Sequence, residues 1–229
     1  MTVAVSMSPR PGTAGAAAGA LLLASGVLMA AASRERWGGA CSGSLSSDAC
    51  TARQDHLFDF VAPSAPWEPV GNAAQLAGLS LLALALGLVL LALLVPRRRP
   101  AAMSLLGMAA VMNAVAGVAT LFSGLAGEVV QPPLARVVTT LWLVLTPVAV
   151  GWWGATARGW SLVAAVPVVV STPLAAALTY AIGPFDARPW WEAVSGAFIV
   201  VGGLFLLVGV ASRHPRGRQP QVRQPAAVS

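Results

Sequence analysis

The chain has 229 residues, of which 57% are hydrophobic and only 10% are charged, with a formal net charge of +6. A soluble domain averages about 25% charged residues, so this composition excludes a water-soluble protein and indicates one that is embedded in lipid. The positive charge does not indicate nucleic-acid binding, because all of it is arginine in short clusters beside apolar blocks. Arginine without lysine in an alanine-rich chain is typical of bacteria with GC-rich genomes.

Six apolar blocks follow one another along the chain, at roughly 14–33, 73–95, 101–124, 136–157, 160–182 and 193–212. Each has about the 20 residues that a helix needs to cross a bilayer, and each is a continuous run rather than the alternating pattern of a barrel strand. The sequence therefore predicts an all-α, polytopic membrane protein. Its transmembrane domain, 14–212, is a six-helix bundle with short loops, between a short N-terminus, 1–13, and a disordered basic tail, 213–229.

The loops between these blocks are of two kinds. All eight acidic residues lie in or beside one alternate set, which includes the long loop 34–72, whereas Arg97, Arg98, Arg99 and the tail arginines belong to the other set. Because cytoplasmic loops are enriched in arginine, we expect a multi-pass protein of the plasma membrane with both termini in the cytoplasm. Arg34 and Arg36 go against this pattern, since they lie at the acidic end of the first block.

The first block also resembles a secretory signal, because small residues at 30–32 offer a cleavage site. Its apolar run is longer than the 7–15 residues of a usual signal core, which favours a helix that is retained. The orientation of the remaining blocks is the same in either case.

Loop 34–72 holds both cysteines of the chain, Cys41 and Cys50. In the predicted orientation they face an oxidising compartment, which favours a disulfide that stabilises the loop by about 2–3 kcal/mol. Metal ligation or redox catalysis is the minor alternative, since there is no Cys-x-x-Cys motif.

Asp55, His56 and Asp59 follow this ring, with the two aspartates at helical i, i+4 spacing. They are candidates for an outer-loop metal or substrate site, although one histidine and two carboxylates are a weak ligand set. The favoured interpretation is a short interfacial segment that dips Leu57, Phe58 and Phe60 into lipid.

Polar residues inside the apolar blocks are the other candidates. Asn113 lies near the middle of the third block, on a stripe of small residues that includes Thr120; Thr146 precedes a proline in the fourth, and Ser171 and Thr172 precede one in the fifth. Such residues either hold helices together or line a solute path through kinked helices. Gly15 and Gly19 form a Gly-x-x-x-Gly pattern, which fits a contact within the bundle or between protomers.

The sequence offers no catalytic constellation, no metal set and no cofactor motif. The first hypothesis is a non-enzymatic membrane protein that presents its disulfide-ringed loop and packs with a homo-oligomer or a membrane-protein partner in the bilayer. The second is a small permease or channel for a neutral or lipidic solute, built on the third to fifth helices. The third is an enzyme or metal site around His56 and its neighbouring aspartates.

Overall fold

The described part of the chain is entirely α-helical apart from loops and one 3₁₀ turn. The structure is a computed structural model that describes residues 11–131, 134–172, 174 and 188–212. Its helices are α1 (Pro11–Trp37), α2 (Asp48–Arg53), α3 (Ala73–Leu94), α4 (Pro100–Ala126), α5 (Ala135–Thr156), α6 (Trp160–Val170) and α7 (Trp191–Ala211), and the 3₁₀ turn covers His56–Phe58. Five of them, α1, α3, α4, α5 and α7, are long and apolar enough to cross a membrane. The predicted all-α membrane bundle is thereby confirmed.

Two of the predicted blocks differ from the observed helices. The first helix continues beyond residue 33 to Trp37, so that Arg34, Glu35 and Arg36 belong to a helix rather than to the loop. The described helix in the fifth block is Trp160–Val170, with Ser171 as its C-terminal cap. Residues 173 and 175–182, in the rest of that block, lie outside the described residues.

Among the described residues, the six longer helices form a closed ring. Each packs mainly against its two neighbours in the order α1, α3, α4, α5, α6 and α7, and α7 packs back against α1. The helix that resembles a signal peptide is therefore an integral part of the ring, where Ala18 and Leu22 are buried in its core.

The ends of the ring differ in charge. At one end lie residues 38–72, which we call the loop end; at the opposite end lie Arg97, Arg98, Arg99 and Arg158, which we call the arginine end. Arg99 donates a hydrogen bond from Nη1 to the carbonyl of Thr156, which joins the α3–α4 connection to the end of α5. The described acidic residues all lie at the loop end, as the alternation of the loops predicts.

Glycines set the closest approach between α1 and α7. Gly19 lies opposite Gly203 and Gly26 opposite Gly196, so the two helices run antiparallel. A Cβ built on Gly26 would overlap the carbonyl oxygen of Gly196. Gly15 and Gly19 thus serve a contact within the bundle. Gly78 and Gly117 play the same part between α3 and α4, as is usual for small residues in membrane helices.

We expect Gly26→Ala to lower the free energy of unfolding by about 1–3 kcal/mol, because the added methyl group meets backbone and the helices must separate. Gly107→Ala is the matched control: it adds a methyl on α4 where no atom lies within 4 Å, and it should stabilise the helix slightly. Unfolding in mixed detergent followed by circular dichroism measures both. Equal effects of the two changes would contradict the close α1–α7 packing.

Candidate functional site

The disulfide joins the loop to the end of the first helix. Cys41 and Cys50 are bonded, as the sequence predicts, and both are buried against Trp37. Ser47, which lies between the two cysteines, caps α2 by accepting a hydrogen bond from the backbone N–H of Cys50, at 3.2 Å. The disulfide therefore places α2 against the last turn of α1.

Arg36, near the end of α1, is only 2% exposed. Its Nε and Nη2 donate to the carbonyl of Arg53 at 3.2 and 2.9 Å, and Nη2 also donates to the carbonyl of Asp55 at 3.3 Å. These carbonyls are available because they lie at and just beyond the end of α2, where helical partners run out. The disulfide-bound segment thus fixes the direction of the guanidinium group.

The remaining nitrogen of Arg36, Nη1, binds two carboxylates. It lies 2.8 Å from Asp59 Oδ1 and 3.3 Å from Glu192 Oε1. Glu192 is held further by Trp37 Nε1, which donates to Oε2 at 2.8 Å, and by the hydroxyl of Ser33. A buried charge is costly unless it is paired and hydrogen-bonded, so this cluster ties α1, the loop and α7 together.

The predicted outer-loop trio, Asp55, His56 and Asp59, does not form one ligand set. The segment is a short 3₁₀ turn rather than an α-helix, and Asp55 caps it by accepting from the N–H of Leu57. His56 Nδ1 lies 3.0 Å from Asp55 Oδ1, while Asp59 is directed to Arg36. Among the described residues, no group of three His, Cys, Asp or Glu side chains is placed to hold a metal ion.

The favoured interpretation, in which this segment dips into lipid, is wrong for Phe60, whose side chain is buried inside the bundle. For Leu57 and Phe58, which are half-buried, it stays a prediction. Phe60 is 2% exposed and packs in an apolar cluster with residues of α1, α3 and α5. The ring of Phe58 stacks under the guanidinium of Arg53 at 4.7 Å. The segment after the turn is therefore folded into the loop end of the bundle.

Asn113 forms the polar centre of the ring. Its Nδ2 donates to Thr146 Oγ1 at 3.0 Å and to the carbonyl of Ala109 at 2.8 Å, and its Oδ1 accepts from Trp142 Nε1 at 2.9 Å. The side chain of Asn113 in α4 therefore bonds to α5. A polar residue in the middle of a membrane helix favours such a hydrogen bond between helices. Sequence reasoning did not identify Trp142 as a partner of Asn113.

The other predicted polar residues have separate partners. Thr120 Oγ1 accepts from the backbone N–H of Ala62 at 3.1 Å, so it holds the loop. Ser171 and Thr172 donate to carbonyls of their own chain at the end of α6, those of Val168 and Val169, both at 2.7 Å.

A cavity of about 230 Å³ lies inside the ring. Each of the six longer helices contributes to its wall, and the loop contributes Asp59 and Val61. Its polar groups are those of Arg36, Asp59 and Glu192 towards the loop end and of Ser80, Asn113, Thr146, Ser171, Thr172 and Ser195 further along, with apolar side chains between them. A group of the size of a water molecule occupies about 30 Å³, so the cavity has room for roughly eight such groups.

Trp191 also lines this cavity, beside Glu192. Its indole Nε1 is buried and has no hydrogen-bond partner in the described part of the chain. A buried donor without a partner costs about 1–3 kcal/mol, which a bound acceptor atom would offset.

Sequence reasoning missed the pairing of Arg36 with Glu192, which lie 156 residues apart. The available signal was the presence of arginine at the acidic end of the first block, where the charge pattern does not favour it. No family model matches this sequence, and comparisons with curated proteins and with solved structures give no significant match.

We expect Arg36→Ala to lower the free energy of unfolding by about 3–5 kcal/mol, because it leaves the buried carboxylate of Glu192 without its cation. Arg34→Ala is the control: it removes the same charge from the same helix end at an exposed position and should change stability by less than about 0.5 kcal/mol. Chemical unfolding in detergent measures both. Similar values for the two variants would contradict a structural role for the Arg36 cluster.

Proposed function

We propose that this protein binds a small, mainly apolar solute in the cavity inside its helical ring and acts as a permease for it. The observation that carries the proposal is the cavity itself, which is about 230 Å³ in volume and is lined by the six longer helices. It develops the second hypothesis drawn from the sequence, in which the third to fifth predicted helices form a solute path.

The character of the cavity wall supports this proposal. Small-molecule sites in proteins are concave and mostly apolar, with a few well-placed polar groups. Here the polar groups of Asn113 and Thr146 are already joined to each other, and the indole N–H of Trp191 lacks a partner. A solute of roughly eight non-hydrogen atoms matches the available volume.

The helices around the cavity also have places where they can bend. Pro147 lies within α5 and Pro167 within α6. Proline removes one backbone hydrogen bond from a helix and weakens its straight form at that point. Interrupted helices surround the binding sites of many transporters, in which parts of the bundle move around a central solute.

We place the protein in the plasma membrane, with both termini in the cytoplasm and the loop end outside. The positive-inside pattern and the disulfide both support this orientation. The solute would then enter beside Asp59, whose side chain is 40% exposed while it lines the cavity. The first hypothesis, a loop presented to partner proteins, stays a prediction, as do the absence of catalysis and any homo-oligomer.

Accessibility of position 113 to water tests the proposal. The native cysteines are joined in a disulfide, so Asn113→Cys supplies the single free thiol. We expect a small membrane-impermeant reagent, 2-sulfonatoethyl methanethiosulfonate, to label it in intact cells, because the cavity connects this position to the loop end. Ser195→Cys, closer to the loop end, is a second probe that leaves the Asn113 hydrogen bonds intact.

Two control variants define the limits of this experiment. Val111→Cys lies two residues from Asn113 on the outer face of α4, where it is 55% exposed, and should be protected by lipid. Ser64→Cys lies exposed in the loop and should be labelled at once. Protection of both cavity cysteines to the level of Val111→Cys would exclude a water-connected cavity. Labelling of Ser64→Cys only after permeabilisation would reverse the orientation.

A further inference from the structure

We infer that the solute is uncharged and carries a hydroxyl group, whose oxygen accepts a hydrogen bond from the indole N–H of Trp191. This inference rests on the proposed function and names the chemical class of the ligand. A small alcohol with an apolar body matches both the volume of the cavity and the hydrogen-bonding capacity of its described wall.

Almost every side-chain donor in the described wall of the cavity is already bonded within the protein. The five N–H groups of Arg36 go to backbone carbonyls and to two carboxylates. Both amide hydrogens of Asn113 and the indole N–H of Trp142 are also bonded. The wall hydroxyls donate to backbone carbonyls, and they belong to Ser80, Thr146, Ser171, Thr172 and Ser195. The donor that remains in this part of the chain is the buried indole N–H of Trp191.

The hydroxyl groups of the wall offer acceptors to a solute rather than donors. Each hydroxyl has one hydrogen, and while that hydrogen is bonded to a carbonyl only the oxygen is available. The hydroxyl oxygens of Ser171, Thr172 and Ser195 accept no hydrogen bond from the described residues. Ser195 follows Trp191 at i, i+4 on α7, so both lie on one face of the helix, and its hydroxyl donates to the carbonyl of Ser171 at the end of α6. One free donor and several free acceptors therefore lie on the α6–α7 side of the cavity.

A hydroxyl group is the small polar group that suits both kinds of partner. Its oxygen accepts from Trp191, and its hydrogen is donated to one of the wall hydroxyls. A ketone offers no hydrogen to those oxygens, and an ammonium group offers no acceptor to the indole. An anion would lie near Asp59 and Glu192, which together carry more charge than Arg36 neutralises. An alcohol leaves the ion pairs of Arg36 as they are.

Cyclohexanol, cyclohexanone and cyclohexylammonium are suitable probes, because they share one ring and differ in the single polar group. Each has about seven non-hydrogen atoms, close to the roughly eight for which the cavity has room. Binding is measured by equilibrium dialysis with the full-length protein in nanodiscs of phosphatidylcholine, and empty nanodiscs give the amount that dissolves in lipid. We expect the wild-type protein to bind cyclohexanol about fivefold more tightly than cyclohexanone, and cyclohexylammonium more weakly than either.

Trp191→Phe keeps an aromatic ring and removes the N–H, so it should weaken the binding of cyclohexanol and of cyclohexanone about fivefold each. Trp152→Phe is the matched control: it makes the same change on α5 at a position that is 52% exposed, and should bind the probes as the wild-type protein does. Unfolding in detergent without solute gives a second readout. Trp191→Phe should destabilise the protein less than Trp142→Phe, because only the latter removes an indole N–H that has a partner.

The outcomes separate the ligand class from the proposed function. Binding of cyclohexanol that is no tighter than that of the other two probes would overturn the alcohol inference and leave the solute site standing. Cyclohexanol binding that is the same in the wild-type protein and in Trp191→Phe would overturn the role of Trp191. If no probe binds while Asn113→Cys and Ser195→Cys are labelled, the cavity holds water alone and the alcohol inference is overturned. If no probe binds and both variants are protected, the proposed function itself is overturned.

Discussion

The buried guanidinium of Arg36 is the interaction on which the loop end of this protein depends. It lies at the end of one helix, takes two carbonyls from the disulfide-bound segment, and binds carboxylates from the loop and from the last described helix. A charge at this depth is tolerated only because each of its donors has a partner. The position of the loop therefore depends on α1 and α7, and the loop end of the cavity depends on the loop.

Glycines allow the close helix packing that surrounds the central cavity. Close contacts at Gly26–Gly196 and Gly78–Gly117 hold α1 against α7 and α3 against α4. On the other side of the ring, Gly154 brings α5 close to Ala165 of α6, and Gly202 brings α7 close to Val168 of α6. The cavity lies between helices that pack closely around it, and its polar residues face inward.

The features that sequence reasoning predicted are those that depend on local composition. Apolar runs of sufficient length predict spanning helices, and two cysteines nine positions apart in one loop predict their own disulfide. The position of Asn113 in the middle of a helix predicts a bond across an interface, and the structure supplies Thr146 and Trp142. In each case the information needed lies within one segment of the chain.

The features that were missed depend on contacts between distant segments. Nothing near Arg36 in the sequence indicates that its partner is Glu192, and the spacing of Asp55 and Asp59 indicates a helix that the chain does not form. Asp59 instead turns inward because a buried cation lies there, and a strong charge–charge contact outweighs a weak local preference. An arginine at the acidic end of a membrane helix is thus a useful signal that a buried partner exists.

The loop and the cavity, which the sequence presents as separate hypotheses, are physically one unit. The disulfide seats α2, the end of α2 supplies the carbonyls that orient Arg36, and Arg36 holds the carboxylates at the loop end of the cavity. A change at the disulfide should therefore alter the cavity, because no more than three contacts connect the two. The loop therefore sets which charged groups lie at the loop end of the cavity.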